Sequence, residues 1–275
     1  VTEWPFANPV LTASGCGGTG RELAAYGVLG GLGGFVTRSI TLHERAGARG
    51  PRLVETPSGL VNAIGLQNPG VATFVDDELP VLLDLGATVV ASVAGHTLGE
   101  YAEVARTLGR TPGVTALEIN LSAPDADLSG VSEVREPFQA AGIVAACRRD
   151  LPRGVLVVAK LRTDALRVVE TARAVVDAGA DAVVVGNALP AAMPDGRPGG
   201  LSGPAVRPLA LRCVEGVAAA LPDTPVIGCG GIMDADDARG FLAAGARAVQ
   251  VGTALFHDPT AAHRIAAALS GGDQT

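Results

Sequence analysis

Positive charge is scarce in this sequence, and lysine scarcer still. Of 21 basic residues among 275, every one is arginine except Lys160. With a net charge of −7 the chain lacks the basic surface that nucleic acid or an anionic membrane requires. Long hydrophobic runs are missing too, so no stretch reaches membrane-spanning length. No basic-then-apolar segment near the start reads as a secretory signal. The four cysteines, Cys16, Cys147, Cys213 and Cys229, form no C-x-x-C pair and match neither a zinc site nor a disulfide framework. Free thiols in a reducing cytoplasm, and no metal, are the expectation. No linker or low-complexity tract divides the chain, which predicts one domain over residues 1–275.

What is present is apolar and periodic. Hydrophobic residues make up 48% and charged ones 18%, enough to bury a large core. Short apolar runs alternate with helical stretches, the pattern of a parallel sheet with crossover helices. Strands are predicted at Pro9–Ala13, Gly34–Ser39, Thr88–Ala94, Thr115–Leu121, Val155–Lys160, Ala182–Gly186, Pro225–Cys229 and Ala248–Val251. That is the number a (β/α)8 TIM barrel of the α/β class needs. Helices are predicted over Arg21–Tyr26, Val71–Leu85, Leu98–Leu108, Pro137–Asp150, Asp164–Ala178, Ala205–Leu221, Asp234–Ala244 and Thr260–Ser270. Gly86, Gly179 and Gly245, each followed by alanine, close three of them in the same way. Long loops at Ile40–Pro69, Ser122–Glu136 and Asn187–Pro204 follow strands and read as lids or binding elements.

The last two strands carry the first functional signal. They end in Gly230-Gly231 and Gly252-Thr253, and Asp234 between them reads as a helix N-cap. Small residues there let backbone approach a ligand, and the loops after strands seven and eight of a barrel commonly form a phosphate site. Lys160 is a second candidate, because a lone lysine among arginines offers a compact point charge where a planar fork will not serve. Asn62, Asn120 and Asn187 lie at or just past strand ends. Each could be a turn residue, but three of them at strand ends suit recognition of a planar, amide-rich ring, since each offers a donor and acceptors.

Several stretches are more specific when taken in order. They are Asn8-Pro-Val-Leu-Thr-Ala-Ser-Gly15, Asn62-Ala-Ile-Gly-Leu-Gln-Asn-Pro-Gly70, Leu117-Glu-Ile-Asn-Leu-Ser122, Gly199-Gly-Leu-Ser-Gly-Pro-Ala205 and the Gly230/Gly252 pair. Through them the chain resembles the class 1 dihydroorotate dehydrogenases, nearer the 1B catalytic subunit, from about Asn8 to His257. The resemblance implies a (β/α)8 barrel with FMN at its C-terminal mouth. It implies that Ala13, Ser14 and Gly15 lie beside the isoalloxazine ring, with Arg38, Ser39, Ser92, Asn120, Lys160, Gly186 and Gly203 close to it. Gly230, Gly231, Gly252 and Thr253 would hold the phosphate. Arg38, Asn62, Ile64, Gly65, Leu66, Asn120, Asp125, Asn187 and Ala188 would line the substrate pocket. Lys160, ending an apolar strand at the barrel mouth, would steady the negative charge that flavin gains on accepting a hydride. As partners the family brings an iron–sulfur flavoprotein, and a homodimer is left open.

The sequence departs from the family at one place above all. Where the family has the base cysteine of Asn-x-Ser-Cys-Pro-Asn, this chain reads Asn120-Leu-Ser-Ala123-Pro-Asp125. Alanine accepts no proton, and loss of a general base costs about 10²–10⁴ in rate. Asp125 replaces an asparagine, Arg38 a lysine and Ala188 a hydroxyl residue, around the same pocket. Asp125 is the first candidate for a substitute base and Cys16 another, while Ser122 is expected to face away and His43 and His96 to be structural or solvated. The reading is therefore an FMN-dependent oxidoreductase in which Asp125 and Lys160 act in catalysis. It would pass hydride between flavin N5 and a small cyclic nitrogen-containing substrate other than dihydroorotate. The family's own reaction with a substitute base is one alternative, and a non-catalytic flavin-binding subunit is another.

Overall fold

The computed structural model describes residues 3–27, 29–122, 134, 136–152 and 154–271. Twelve strands occur among them. They are β1 (Val10–Thr12), β2 (Phe35–Val36), β3 (Leu53–Thr56), β4 (Gly59–Asn62), β5 (Val89–Val93), β6 (Val114–Asn120), β7 (Leu156–Leu161), β8 (Ala182–Val185), β9 (Leu189–Ala192), β10 (Pro198–Ser202), β11 (Val226–Cys229) and β12 (Ala248–Val251). Eight pair in parallel in the order β1-β12-β11-β8-β7-β6-β5-β2. The two ends of that sheet meet at a parallel Leu11–Gly34 bridge, where Thr12 Oγ1 also accepts the Val36 N–H at 2.9 Å. The result is a (β/α)8 barrel with every predicted strand present: β1, β2, β5, β8 and β11 are shorter than predicted, β6 and β7 are shifted by one residue, and β12 has its predicted bounds.

These segments form buried parallel strands because neither face meets water. All five residues of Val89-Val-Ala-Ser-Val93 are buried, so the run shows no polar alternation. Leu11, Val36, Val90, Ala116, Val158, Val184 and Ile227 point inward and fill the barrel. Their neighbours Val10, Phe35, Val89, Leu117, Val157, Val183 and Val226 point outward into the helical layer. The N-terminal end of the barrel is stoppered. Phe6 is buried there, Trp4 meets it edge-on at 4.9 Å, and the Arg247 guanidinium lies 4.5 Å over the Trp4 ring.

Each predicted helix is present, most with ends moved by one or two residues and three with larger differences, and a short helix at Ala254–His257 was not predicted. Asp234 caps Ala235–Ala243 by accepting the Asp237 N–H at 2.9 Å. The three helix-ending glycines take φ of +74°, +105° and +101° at Gly86, Gly179 and Gly245. The stretch predicted as one helix over 71–85 is instead interrupted by a π-turn at Phe74–Glu78. Pro80 has no N–H to return to Asp76, which loosens the ladder there. The helix predicted from Asp164 starts at Val168, because the Asp164 side chain accepts the Leu166 N–H at 3.1 Å and holds a turn. A 3-10 turn at Pro204–Val206 precedes the helix Arg207–Ala220. Among the described residues no helix is long and apolar enough to cross a membrane.

A second correction concerns the loops at 40–69 and 187–204. Together they build an antiparallel sheet in the order β3-β4-β10-β9. Leu-Pro-Ala-Ala and Pro-Gly-Gly-Leu-Ser have poor strand preference; they pair with each other as a hairpin, and β10 is held on its other side by β4, far away in sequence. Arg197 ties this layer together from a nearly buried position. It donates to Arg49 O at 2.9 Å, Pro51 O at 2.8 Å and Asp195 Oδ2 at 2.7 Å.

Candidate functional site

A cavity of about 470 Å³ opens at the C-terminal ends of the barrel strands, within the range of roughly 300–1,000 Å³ usual for small-molecule and cofactor sites. Barrel enzymes keep their chemistry at this end, where side chains from several strands converge. The wall next to β1 is Ala13, Ser14 and Gly15, and Arg38 and Ser39 follow β2. Asn120 and Lys160 come from the ends of β6 and β7. Gly230, Gly231, Gly252 and Thr253, which follow β11 and β12, close the far side with Gly203. Asn62, Ile64, Leu66, Asn187 and Ala188 complete the wall. Leu66 holds φ of +53°, a sparsely populated conformation for a branched residue and one that clusters at binding sites.

Three predicted residues are not on this wall. Ser92 is fully buried behind it, its hydroxyl 2.9 Å from that of Ser39. Gly65 turns toward the neighbouring loop, since a side chain there would meet Ala48 N at 2.6 Å. Gly186 faces β11, where a side chain would meet Cys229 O at 1.8 Å. Ala123 and Asp125 lie outside the described residues.

The asparagines are braced, each with capacity left over. Asn120 Nδ2 donates to Ser39 Oγ at 3.0 Å and its Oδ1 accepts the Ser122 N–H at 3.2 Å. Asn187 Nδ2 donates to Ser122 O at 2.9 Å, and its Oδ1 accepts the Ala188 N–H at 2.9 Å. Asn62 Nδ2 donates to Gly200 O at 3.0 Å across the small sheet. An amide has two N–H groups and two lone pairs, so one donor on each remains for a ligand. Ser122 lines the cavity as well, although its strand parity predicted the opposite face.

Lys160 is held more closely than the sequence suggested. Its side chain is nearly buried and its Nζ lies 3.3 Å from Glu118 Oε1 and donates to Gln250 Oε1 at 2.8 Å. Glu118 and Gln250 were not among the predicted site residues. The signal was there: an acid inside the apolar run Leu117–Ile119 must have an inward partner. Burial alone would push the Lys160 ammonium down, but the Glu118 carboxylate beside it outweighs that and holds the pKa above the ordinary lysine value. Burial pushes the Cys16 thiol up to about 12 despite Lys160, so it remains protonated at neutral pH. Glu22 also reaches the wall, with its Oε2 accepting both the N–H (2.9 Å) and the hydroxyl (3.0 Å) of Thr19. Arg38 is anchored from behind by Glu78, at 3.4 Å, which the π-turn brings into place.

Known proteins place this geometry. Residues 1–271 match the family described as dihydroorotate dehydrogenase. The dihydroorotate dehydrogenase B (NAD(+)) catalytic subunit of Trichlorobacter lovleyi is 47% identical over 268 residues, 94% of this chain and 87% of that one. The protein of the same name from Desulforudis audaxviator is 47% identical over 273 residues, 95% of this chain and 87% of that one. The crystal structure of DHODH in complex with ferulenol from Eimeria tenella superposes with a TM-score of 0.79 at 21% identity, covering 95% of this chain and 80% of that one, a likeness of fold. A barrel with this mouth, matched over nearly its whole length, belongs to the dihydroorotate dehydrogenase family and is an oxidoreductase of that family.

Proposed function

We propose that this chain, as one domain, is an FMN-dependent enzyme acting on a small cyclic nitrogen-containing substrate other than dihydroorotate. The wall fits the cofactor on three counts. A side chain at Gly15 would meet no atom within 4 Å, which leaves open space beside Ser14. One buried cation, Lys160, faces the cavity from below. Small residues at Gly230, Gly231 and Gly252 leave the backbone accessible for a phosphate, with Thr253 fixed by its hydroxyl to Ser202 Oγ at 2.8 Å. FMN, when bound, supplies a hydride acceptor or donor at N5 and carries the charge gained on reduction. Lys160 would steady that charge, and the spare amide groups of Asn62, Asn120 and Asn187 would orient the substrate ring.

The observation that carries the substrate reading is the proton-transfer capacity of the wall. Among the described lining residues, burial keeps the Cys16 and Cys229 thiols protonated, Lys160 stays cationic and Glu22 is engaged by Thr19. Ala123 stands where the family's base is expected. Oxidising a C–N bond, or reducing an activated C=C bond, dispenses with a carbon-acid base of that kind. Anaerobic mixing of the purified yellow protein with dihydroorotate and with other reduced nitrogen rings tests this. Slow or absent bleaching with dihydroorotate and fast bleaching with another ring is the expected result.

Dihydroorotate oxidation is the second reading, favoured by the name borne by relatives 47% identical to this chain. It would need Asp125 or an ordered water as base, and rapid bleaching by dihydroorotate would establish it in place of the first. The words "catalytic subunit" in those names support a second subunit for this chain also. An iron–sulfur flavoprotein that removes electrons is the chemistry proposed for it, beside a homodimer of the barrel, in the cytoplasm.

A further inference from the structure

The chemistry above uses the Lys160 ammonium and leaves unused the two side chains behind it. Glu118 on β6 and Gln250 on β12 form a closed triangle with Lys160 on β7. Besides the two contacts of the ammonium, Gln250 Nε2 donates to Glu118 Oε2 at 2.5 Å. Relative exposures are 0% for Glu118, 1% for Gln250 and 4% for Lys160. Among the described residues Glu118 Oε1 has the Lys160 ammonium beside it at 3.3 Å and no further hydrogen-bond donor. The strand partners of Glu118 on either side are Ser92, whose hydroxyl is engaged with Ser39, and the apolar Val158, and Ala116 precedes it on the same face. An acid in such a place is expensive to keep, and a well-packed apolar side chain would usually cost less.

We infer that Glu118 is a positioning residue that sets how much positive charge Lys160 presents to the flavin, and thereby the potential at which the flavin is reduced. The inference rests on the FMN reading. With its carboxylate in place, the buried pair is neutral overall and shows the cavity only the positive end of a dipole. Gln250 fixes that dipole by bonding both partners, so the ammonium cannot swing away when charge builds above it. Removing the negative member leaves a bare cation in a weakly screened interior, which favours the reduced, negatively charged form of the cofactor.

The test is the midpoint potential of the FMN-loaded protein, measured by anaerobic equilibration with reference dyes, for wild type, Glu118→Gln, Lys160→Met and the double variant. Glu118→Gln is expected to raise the two-electron equilibrium constant for reduction at least tenfold, about +30 mV. Lys160→Met should lower it, and the double variant should coincide with Lys160→Met, because Glu118 acts through the lysine. An unmoved potential in Glu118→Gln, or a Glu118→Gln shift that persists undiminished when Lys160 is Met, overturns the inference. If Glu118→Gln does not fold, the comparison of Lys160→Met with the double variant still decides: a difference between them as large as the tenfold expected in the wild-type background refutes action through Lys160, and a smaller one supports it. Wild-type protein that binds no FMN removes the flavin reading itself, whereas loaded protein with an unresponsive potential removes only the role of Glu118.

Discussion

Gly15 and Gly186 both sit at positive φ, +78° and +127°, yet replacing each with alanine should fail in different ways. At Gly186 the added methyl would lie 1.8 Å from Cys229 O, against a normal carbon–oxygen approach of about 3.3 Å. Neither strand can yield easily, since β8 and β11 are paired through Val185 and Gly228 next to the clash. Backbone strain of about 1–3 kcal/mol and overpacking of about 1–3 kcal/mol give a loss of roughly 2–6 kcal/mol. For a chain of this length one kcal/mol corresponds to roughly 1.7 °C in Tm, so the expected fall is about 3–10 °C. At Gly15 the methyl would meet nothing within 4 Å, leaving only a strain of about 1–2 kcal/mol and a fall of roughly 2–3 °C. Its methyl would instead stand at the cavity wall and should weaken FMN at least about tenfold, roughly 1.4 kcal/mol. Thermal denaturation of FMN-free protein, followed by fluorescence titration with FMN, separates the two losses. The reasoning is refuted if Gly15→Ala binds FMN as wild type does, or if Gly186→Ala melts with wild type.

Three more outcomes follow from the same structure. Lys160→Met leaves Glu118 buried without its ammonium, so denaturant unfolding should show a loss of about 3–5 kcal/mol; a loss below about 1 kcal/mol would contradict the burial argument. Cys16 lines the cavity with its thiol held near 12, so an alkylating reagent at about pH 8 should leave it unmodified in the native protein; rapid labelling, located by mass spectrometry, would overturn that. The Asp258 carboxyl is held down at about 2 by Thr260 and Arg264. A depressed carboxylate stabilises fully above its unfolded value, 3.8, and loses that contribution as pH falls through about 2. Asp258→Asn should therefore flatten the stability–pH curve across that window, and an unchanged slope would count against the pairing.

Much of the barrel was legible in the sequence because burial on both faces leaves unbroken apolar runs, and glycine marks where helices stop. The small sheet was not legible, since β10 is held by pairing with β4, β9 by pairing with β10, and the layer by Arg197, rather than by the strands' own preferences. Lys160 was visible through composition alone. Glu118 and Gln250 needed an additional step, namely asking what an inward acid on one strand faces across the barrel. The resemblance supplied proximity for Ser92, Gly65 and Gly186 but not direction, and direction is decided by packing: against Ser39, Ala48 and Cys229 respectively. The π-turn depended on a missing N–H at Pro80, a local effect that hydrophobic periodicity does not register.

The stopper of Phe6, Trp4 and Arg247 has a consequence for traffic. Among the described residues the barrel is plugged at its base and hollow at its rim, so a molecule that reaches Lys160 comes down from the rim, past the small sheet of β3, β4, β10 and β9.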